Sequence, residues 1–452
     1  MSISGNAPAG TGYVGSLTKE QAILLRRLWA ALEEVLAEGT VTIQHDPVTI
    51  AAASGIPAVV APAAQPAAAS AGWGGGWFST AAATSTTPEE APKPLIEPAV
   101  TITLEELKID GPVVRQAIRE NMMGDHPDAL VLRFLRARKW HVANGLMMML
   151  KAFQWRLEMN VDDVKTLGEL ELEEKYPKFQ DQLAMGKFYV HGTDKQGQPV
   201  VYLNVGLHRP ADQDYRTLER LTIYLMEQGR LLISPPVECV SLVFDLSQFG
   251  LANMDYSLVK FLVQCFEAYY PESLGGIIVH KSPFVFWGVW KVIEPWLDRV
   301  VASKVKFTST DAELLDFIPA EHLPSTYEGG LDQYRYAYVA PVPGENERMK
   351  DGETKKLLYA AWEKLADEFD AQTRAWIAED EDEEDESKGS NKDSFEIATK
   401  YFKERDAIAR DLRKAHFALD PYVRARSQFH RGSEAAPAVL RSDGSVKWTY
   451  IN

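Results

Sequence analysis

Apolar residues recur at helical spacing through "LTKEQAILLRRLWAALEEVLAE" (17–38), at Leu24, Leu25, Leu28, Leu32, Val35 and Leu36. Thr18 and Gln21 have the form of a capping box at its start. The spacing predicts a helix whose apolar face docks on a surface within the chain or outside it. From about 46 to 98 the pattern dissolves into Ala, Pro, Ser and Thr. Such a segment buries too little side chain to offset the entropy of ordering, so disorder is expected. Inside it, "GWGGGWF" (72–78) reads either as an adhesive piece of linker or as a docking motif for a partner or a membrane. Helical spacing returns over 103–176, with Leu130, Phe134 and Leu135 in one helix and Leu146, Met149, Leu150, Phe153 and Leu157 in the next.

After about 186 the period changes. "YVHGTDKQGQP" (189–199) reads as a turn, with His191 at the surface. Strand-like "PVVYLNVG" (199–206) precedes a helical run, 215–233. The alternation continues with strand 240–246, helix 254–270, strand 276–280, helix 284–297, strand 304–308 and a short helix, 311–318. Strands alternating with helices at this interval predict an α/β fold: right-handed crossovers and a largely parallel sheet. The expected organisation is an extension (1–100), a helical lobe (101–176) and a mixed lobe (177–335). A helix (345–378), an acidic disordered linker (379–392) and a helical C-terminal extension (393–452) follow.

With 46% hydrophobic residues and 25% charged ones, the 452-residue chain is globular in composition. Its net charge of −16 argues against nonspecific nucleic-acid binding. The tract "EDEDEEDE" (379–386) alone carries −8 of that. Cys239 and Cys265 are the only cysteines, which suits a reducing compartment and leaves no thiol-based metal site. The N-terminus lacks the pattern of a signal peptide. Neither 47–72 nor 277–297 offers the ~20 uninterrupted apolar residues of a membrane span. A cytoplasmic protein is expected, a monomer, with neither cofactor nor metal.

Motifs for phosphate-loop, dinucleotide, serine-hydrolase and zinc-protease chemistry are absent, so no catalytic residue is assigned. His280 and Asp245 read best as structural groups. The run 284–297 is different. Phe284, Phe286, Trp287, Trp290, Ile293, Trp296 and Leu297 leave almost no polar face. Such a helix is either wholly buried or meets apolar surroundings on both sides. Arg133, Arg136, Arg138 and Lys139 form a basic cluster, either a solvated face or, at Arg138 and Lys139, a phosphate site at a helix end. Glu272 follows Pro271 and opens a strand, and Lys304 opens the next. One acid and several cations beside an apolar chamber suit a phosphorylated polyol on an acyl anchor.

At these residues the sequence resembles the CRAL-TRIO family, in particular its fungal phosphatidylinositol transfer proteins. "LRFLRARKW", "YYPESLGGIIVHKSPFVFWGVWKVIEPWLD", "SKVKF" and "IPAEHLP" match its landmarks in order, over roughly 125–330. The resemblance implies a helical N-terminal lobe, a lipid lobe with a β-sheet floor, and a gating helix over one acyl cavity. Lipid exchange at membranes such as the endoplasmic reticulum or endosomes follows from it, without covalent chemistry. It assigns the phosphatidylinositol headgroup to Arg138, Lys139, Glu272 and Lys304, and the gate to 284–297. Val301 stands where a threonine is usual, and Val240 and Leu242 stand where hydroxyls support phosphatidylcholine in some members. A sterol or another neutral lipid is the alternative ligand. A lipid-responsive scaffold that recruits protein partners through the terminal extensions is a further alternative.

Overall fold

The computed structural model describes residues 12–44, 99–122, 124–233, 237–381, 394–431, 438–440 and 446–448. The low-complexity segment with its GWGGGWF motif, and the acidic tract from 382 onward, lie outside the described residues.

The first helix, Lys19–Glu38, starts at the expected capping box: the Thr18 hydroxyl accepts from the Gln21 amide at 3.2 Å, and the Gln21 side chain accepts from the Thr18 amide at 3.0 Å. Gly39, at φ +77°, ends it in the left-handed conformation that glycine adopts without strain. The docking surface for its apolar stripe is internal. Leu24, Leu25, Leu28 and Val35 share one core with helices Gly111–Met122, Pro127–Ala137 and Val142–Glu158. Strands β1 (Thr40–Ile43) and β2 (Val100–Thr103) pair antiparallel and bring the chain back to that lobe.

Two long C-terminal helices, Gly352–Glu381 and Ser394–Val423, add Trp362, Phe369, Trp376 and Leu412 to the same core. Arg405, fully buried, donates to Asp128 at 2.5 Å and lies over the rings of Phe369 and Trp376. Trp29 Nε1 donates to the same carboxylate at 2.8 Å. A buried guanidinium is tolerated because a charged acceptor and aromatic faces replace its water.

The mixed lobe holds a five-stranded sheet in the order β3-β4-β5-β6-β7. Strands β4 (Pro199–Asn204), β5 (Val240–Asp245), β6 (Leu274–His280) and β7 (Val305–Thr308) run parallel, as the alternation predicts. Strand β3 (Phe188–Thr193) corrects the sequence reading: it pairs antiparallel with β4, and its register shifts between Val190 and Thr193. Gly192, at φ +68°, sits in that bulge and breaks the two-residue alternation that would reveal the strand. His191 is therefore buried, not on a surface turn. Its Nε2 lies 2.8 Å from Asp332, and its ring stacks on Tyr334 at 3.7 Å.

His280 and Asp245 are both tied to groups of the chain itself. His280 bridges Thr308 and Asp311, and Asp245 accepts from the Ser247 amide and the Tyr327 hydroxyl.

Candidate functional site

Alternate side chains of a strand face one side of a sheet. On one side of this sheet, Val201, Leu203, Val240, Leu242, Phe244 and Ile277 floor a cavity of about 260 Å³. Leu225 from helix Tyr215–Leu232, and Leu258 and Leu262 from helix Tyr256–Gln264, form walls. Val240 and Leu242 thus face the cavity, and so does Val301. Ser241 is buried and donates to Asp194 at 2.6 Å. Gln428 and Phe429 also line the cavity, where Phe429 packs with Val190 and Leu232.

The roof is the aromatic helix, Phe286–Ile293, continued by a 3-10 turn, Glu294–Trp296, at Pro295. Phe286, Trp290, Ile293 and, beyond the turn, Leu297 line the cavity. Phe284 and Trp287 do not: they are 92% and 43% exposed, and Val285 and Val292 are exposed beside them. The helix is therefore apolar on both sides because one side meets the cavity and the other meets solvent. Trp296 lies outside the lining; its ring sits edge-on to Tyr256 and 4.8 Å from the Lys260 ammonium.

Helix Tyr256–Gln264 widens into a π turn, Cys265–Tyr269, before the chain reaches Glu272. Tyr269 stacks on Trp155 at 4.0 Å, and the Tyr270 hydroxyl donates to buried Glu227 at 2.8 Å. Pro271 follows, and Glu272 takes φ +56° two residues before β6, clear of the helix. Its carboxylate lies 3.8 Å from Arg136 Nε. Its carbonyl accepts from Cys239 Sγ at 3.2 Å and Arg133 Nη1 at 3.5 Å. Arg136 also donates to Glu238 at 2.8 Å and to the Gly12 carbonyl at 2.9 Å, with the Tyr13 ring 4.2 Å away. Lys304 donates from Nζ to the Leu274 carbonyl at 2.5 Å.

Glu272 and Lys304 thus both lie at the N-terminal ends of the parallel strands, outside the cavity lining but beside Ser273 and Leu274, which line it. Arg138 follows the last turn of its helix and donates to the Ala137 carbonyl at 3.2 Å; Lys139 is exposed at φ +51°. No ion pair joins either to Glu272 among the described residues. The guanidinium beside Glu272 belongs to Arg136, with Arg133 next to it. Their three-residue spacing on one helix face is the signal that could have singled them out.

Burial pushes both thiols up, Cys265 to about 12, so neither is an activated nucleophile. Among the described residues no helix is long and apolar enough to cross a membrane, and no acid, His and Cys cluster could hold a metal ion.

Residues 183–329 match the CRAL/TRIO domain, and residues 101–151 match the CRAL/TRIO N-terminal domain. The phosphatidylinositol transfer protein CSR1 of Eremothecium gossypii is 34% identical over 436 residues, 93% of this chain and 97% of its own. A CRAL-TRIO domain-containing protein of Schizosaccharomyces pombe is 40% identical over 314 residues, 69% of this chain and 67% of its own. The Sec14 cytosolic factor of the same yeast is 29% identical over 223 residues, 45% of this chain and 74% of its own. Both domain models match in chain order, and with these relatives the chain belongs to the CRAL/TRIO family.

Proposed function

We propose that the chain is a cytoplasmic carrier that encloses one phosphatidylinositol molecule and exchanges it in transient contact with membrane surfaces, the aromatic helix serving as gate. The observation that carries this reading is the two-sided helix. Phe286, Trp290 and Ile293 face a cavity, while Phe284 and Trp287 present aromatic surface to the outside. A bilayer can take the outer face, and the helix can then move without exposing its inner face to water. Acyl chains favour the cavity by ~0.8 kcal/mol per buried methylene. At the polar rim Glu272 would accept hydrogen bonds from inositol hydroxyls, and Lys304 with Arg138 and Lys139 would take the phosphodiester. No bond is made or broken, so no catalytic group is required. The relative named as a phosphatidylinositol transfer protein, matched along nearly its whole length, supports the same cargo.

Vesicle-to-vesicle transfer of a fluorescent phosphatidylinositol tests this. Glu272→Ala and Lys304→Ala should each reduce transfer to background while the melting temperature holds. Undiminished transfer by both overturns the headgroup assignment. A neutral lipid such as a sterol is the second reading, favoured by the apolar Val240 and Leu242 in the floor. Native mass spectrometry that finds only phospholipid on the purified protein decides against it.

A further inference from the structure

The cavity has a second polar end. Strand β5 spans six residues, or roughly 16–20 Å. Glu272 and Lys304 lie at the sheet's edge where β5 begins. Where β5 ends, the chain around β3 and β4 brings Lys187 and His208 into the cavity lining. The pairing fixes this placement: the Asn204 amide, at the end of β4, donates to the Lys187 carbonyl at 2.9 Å.

Lys187 is 1% exposed and His208 7%, so both are more than nine-tenths buried. The Lys187 ammonium is held by two amide oxygens, those of Gln182 and, at 3.1 Å, Gln213. Neither neutralises it. Neither ring nitrogen of His208 makes a hydrogen bond: Nε2 stands 3.5 Å from the Asp255 carboxylate, and buried Nδ1 has no polar partner. Buried polar groups are otherwise satisfied in folded proteins, and an orphan at a cavity wall calls for a partner inside. The loop is held in place by Asn253, whose side-chain amide donates to the carbonyls of Gly206 and His208 at 3.1 and 2.8 Å.

We infer that this end of the cavity is a subsite for the carboxyl group of a long apolar chain, such as a free fatty acid. Lys187 supplies the countercharge and a hydrogen bond, and His208 Nδ1 supplies a second hydrogen bond. Asp255, which also lines this end of the cavity, stands 3.5 Å from the other ring nitrogen, Nε2. Burial lowers the Lys187 ammonium to about 8 and lowers the His208 ring as well, as unliganded polar groups in an apolar wall should be. An arriving carboxylate reverses that penalty for the lysine. The rest of the lining is largely apolar, with Thr222, Arg230 and Gln428 among the polar side chains of the walls, so the ligand is a chain with one polar terminus here, distinct from a headgroup at the Glu272 rim.

The test titrates the purified full chain with cis-parinaric acid and with its methyl ester, reading fluorescence on entry into the cavity. Neither probe carries inositol, so the outcome is independent of the phosphatidylinositol reading, which vesicle transfer tests separately. The acid should bind at least about tenfold more tightly than the ester, the lower end of what a hydrogen bond to a charged group supplies. Lys187→Met should bring that ratio close to one, Lys187→Arg should keep most of it, and His208→Phe should reduce it. Equal affinity for the two probes in the unmodified protein overturns the inference, as does failure to bind either. An unchanged ratio in Lys187→Met also overturns it. If Lys187→Met does not fold, the ratio in the unmodified protein and its fall in His208→Phe decide.

Discussion

Arg431 donates to the buried carboxylate of Glu169, 262 residues earlier in the chain. The same carboxylate accepts from the hydroxyls of Tyr224 and Tyr338, each at 2.5 Å, and from the Gln428 amide at 3.0 Å. One side chain therefore holds the C-terminal segment on the mixed lobe, and with it Phe429 at the cavity.

Glu169→Ala should accordingly cost about 3 kcal/mol, because it takes one of two carboxylates from the buried Arg431 guanidinium, which keeps Glu345, and leaves two hydroxyls without their acceptor. Urea unfolding would measure the loss. Phe429→Ala should be milder and should speed the entry of an apolar dye into the cavity. A Glu169→Ala protein of unchanged stability would show that the C-terminal segment is not anchored there.

The same segment should loosen in acid. His416 and His430 flank Asp420, and burial pushes each ring down to about 4. Burial works against the Asp420 carboxylate too, but the Arg424 guanidinium at 2.7 Å holds it below its ordinary range. A histidine whose folded pKa lies below the unfolded value of about 6.5 binds its proton more readily when unfolded. The stability it contributes is complete above about 6.5 and is lost as pH falls towards 4. The melting temperature should fall through that window, and His416→Gln with His430→Gln should flatten the decline. A double variant that declines as steeply would count against this account.

Exposed and cavity-facing residues of the aromatic helix should behave differently. Phe284→Asp with Trp287→Asp leaves the roof of the cavity in place, so the melting temperature should change little. Vesicle co-sedimentation and lipid transfer should drop about tenfold or more, since a charge is unfavourable in the bilayer. Trp290→Asp should lower the melting temperature instead, because its carboxylate would sit in an apolar wall.

The two arginines of "RAR" should also separate. Arg136→Ala leaves Glu238 buried without its closest cation and should destabilise by about 3–5 kcal/mol. Arg138→Ala removes a single hydrogen bond to a neighbouring carbonyl and should leave stability nearly unchanged. If Arg138 holds the phosphodiester, its variant loses transfer at constant melting temperature. Normal transfer by Arg138→Ala would move that role elsewhere.

The order of elements was legible because periodicity is local. The capping box at Thr18, the alternation from β4 to β7 and the apolar run at 286–293 are each written within a few turns or strand residues. Pro271 likewise showed that Glu272 lies beyond its helix. Strand β3 escaped because a bulge at Gly192 breaks its alternation within six residues.

By itself the sequence determined the α/β architecture, the apolar character of the roof helix and, through its ordered landmarks, the family. Only the tertiary structure decided which side of that helix faces the cavity, and which cation meets Glu272. Arg136 lies on the last helical turn and reaches Glu272, while Arg138 caps the helix outside helical conformation and bonds to its own neighbour. Only the tertiary structure, too, brought Gln428 and Phe429 to the cavity and left the His208 ring without a hydrogen bond at its far end. Contacts between residues so distant in the chain leave no periodic trace, because each side needs only to be apolar or polar in its own segment.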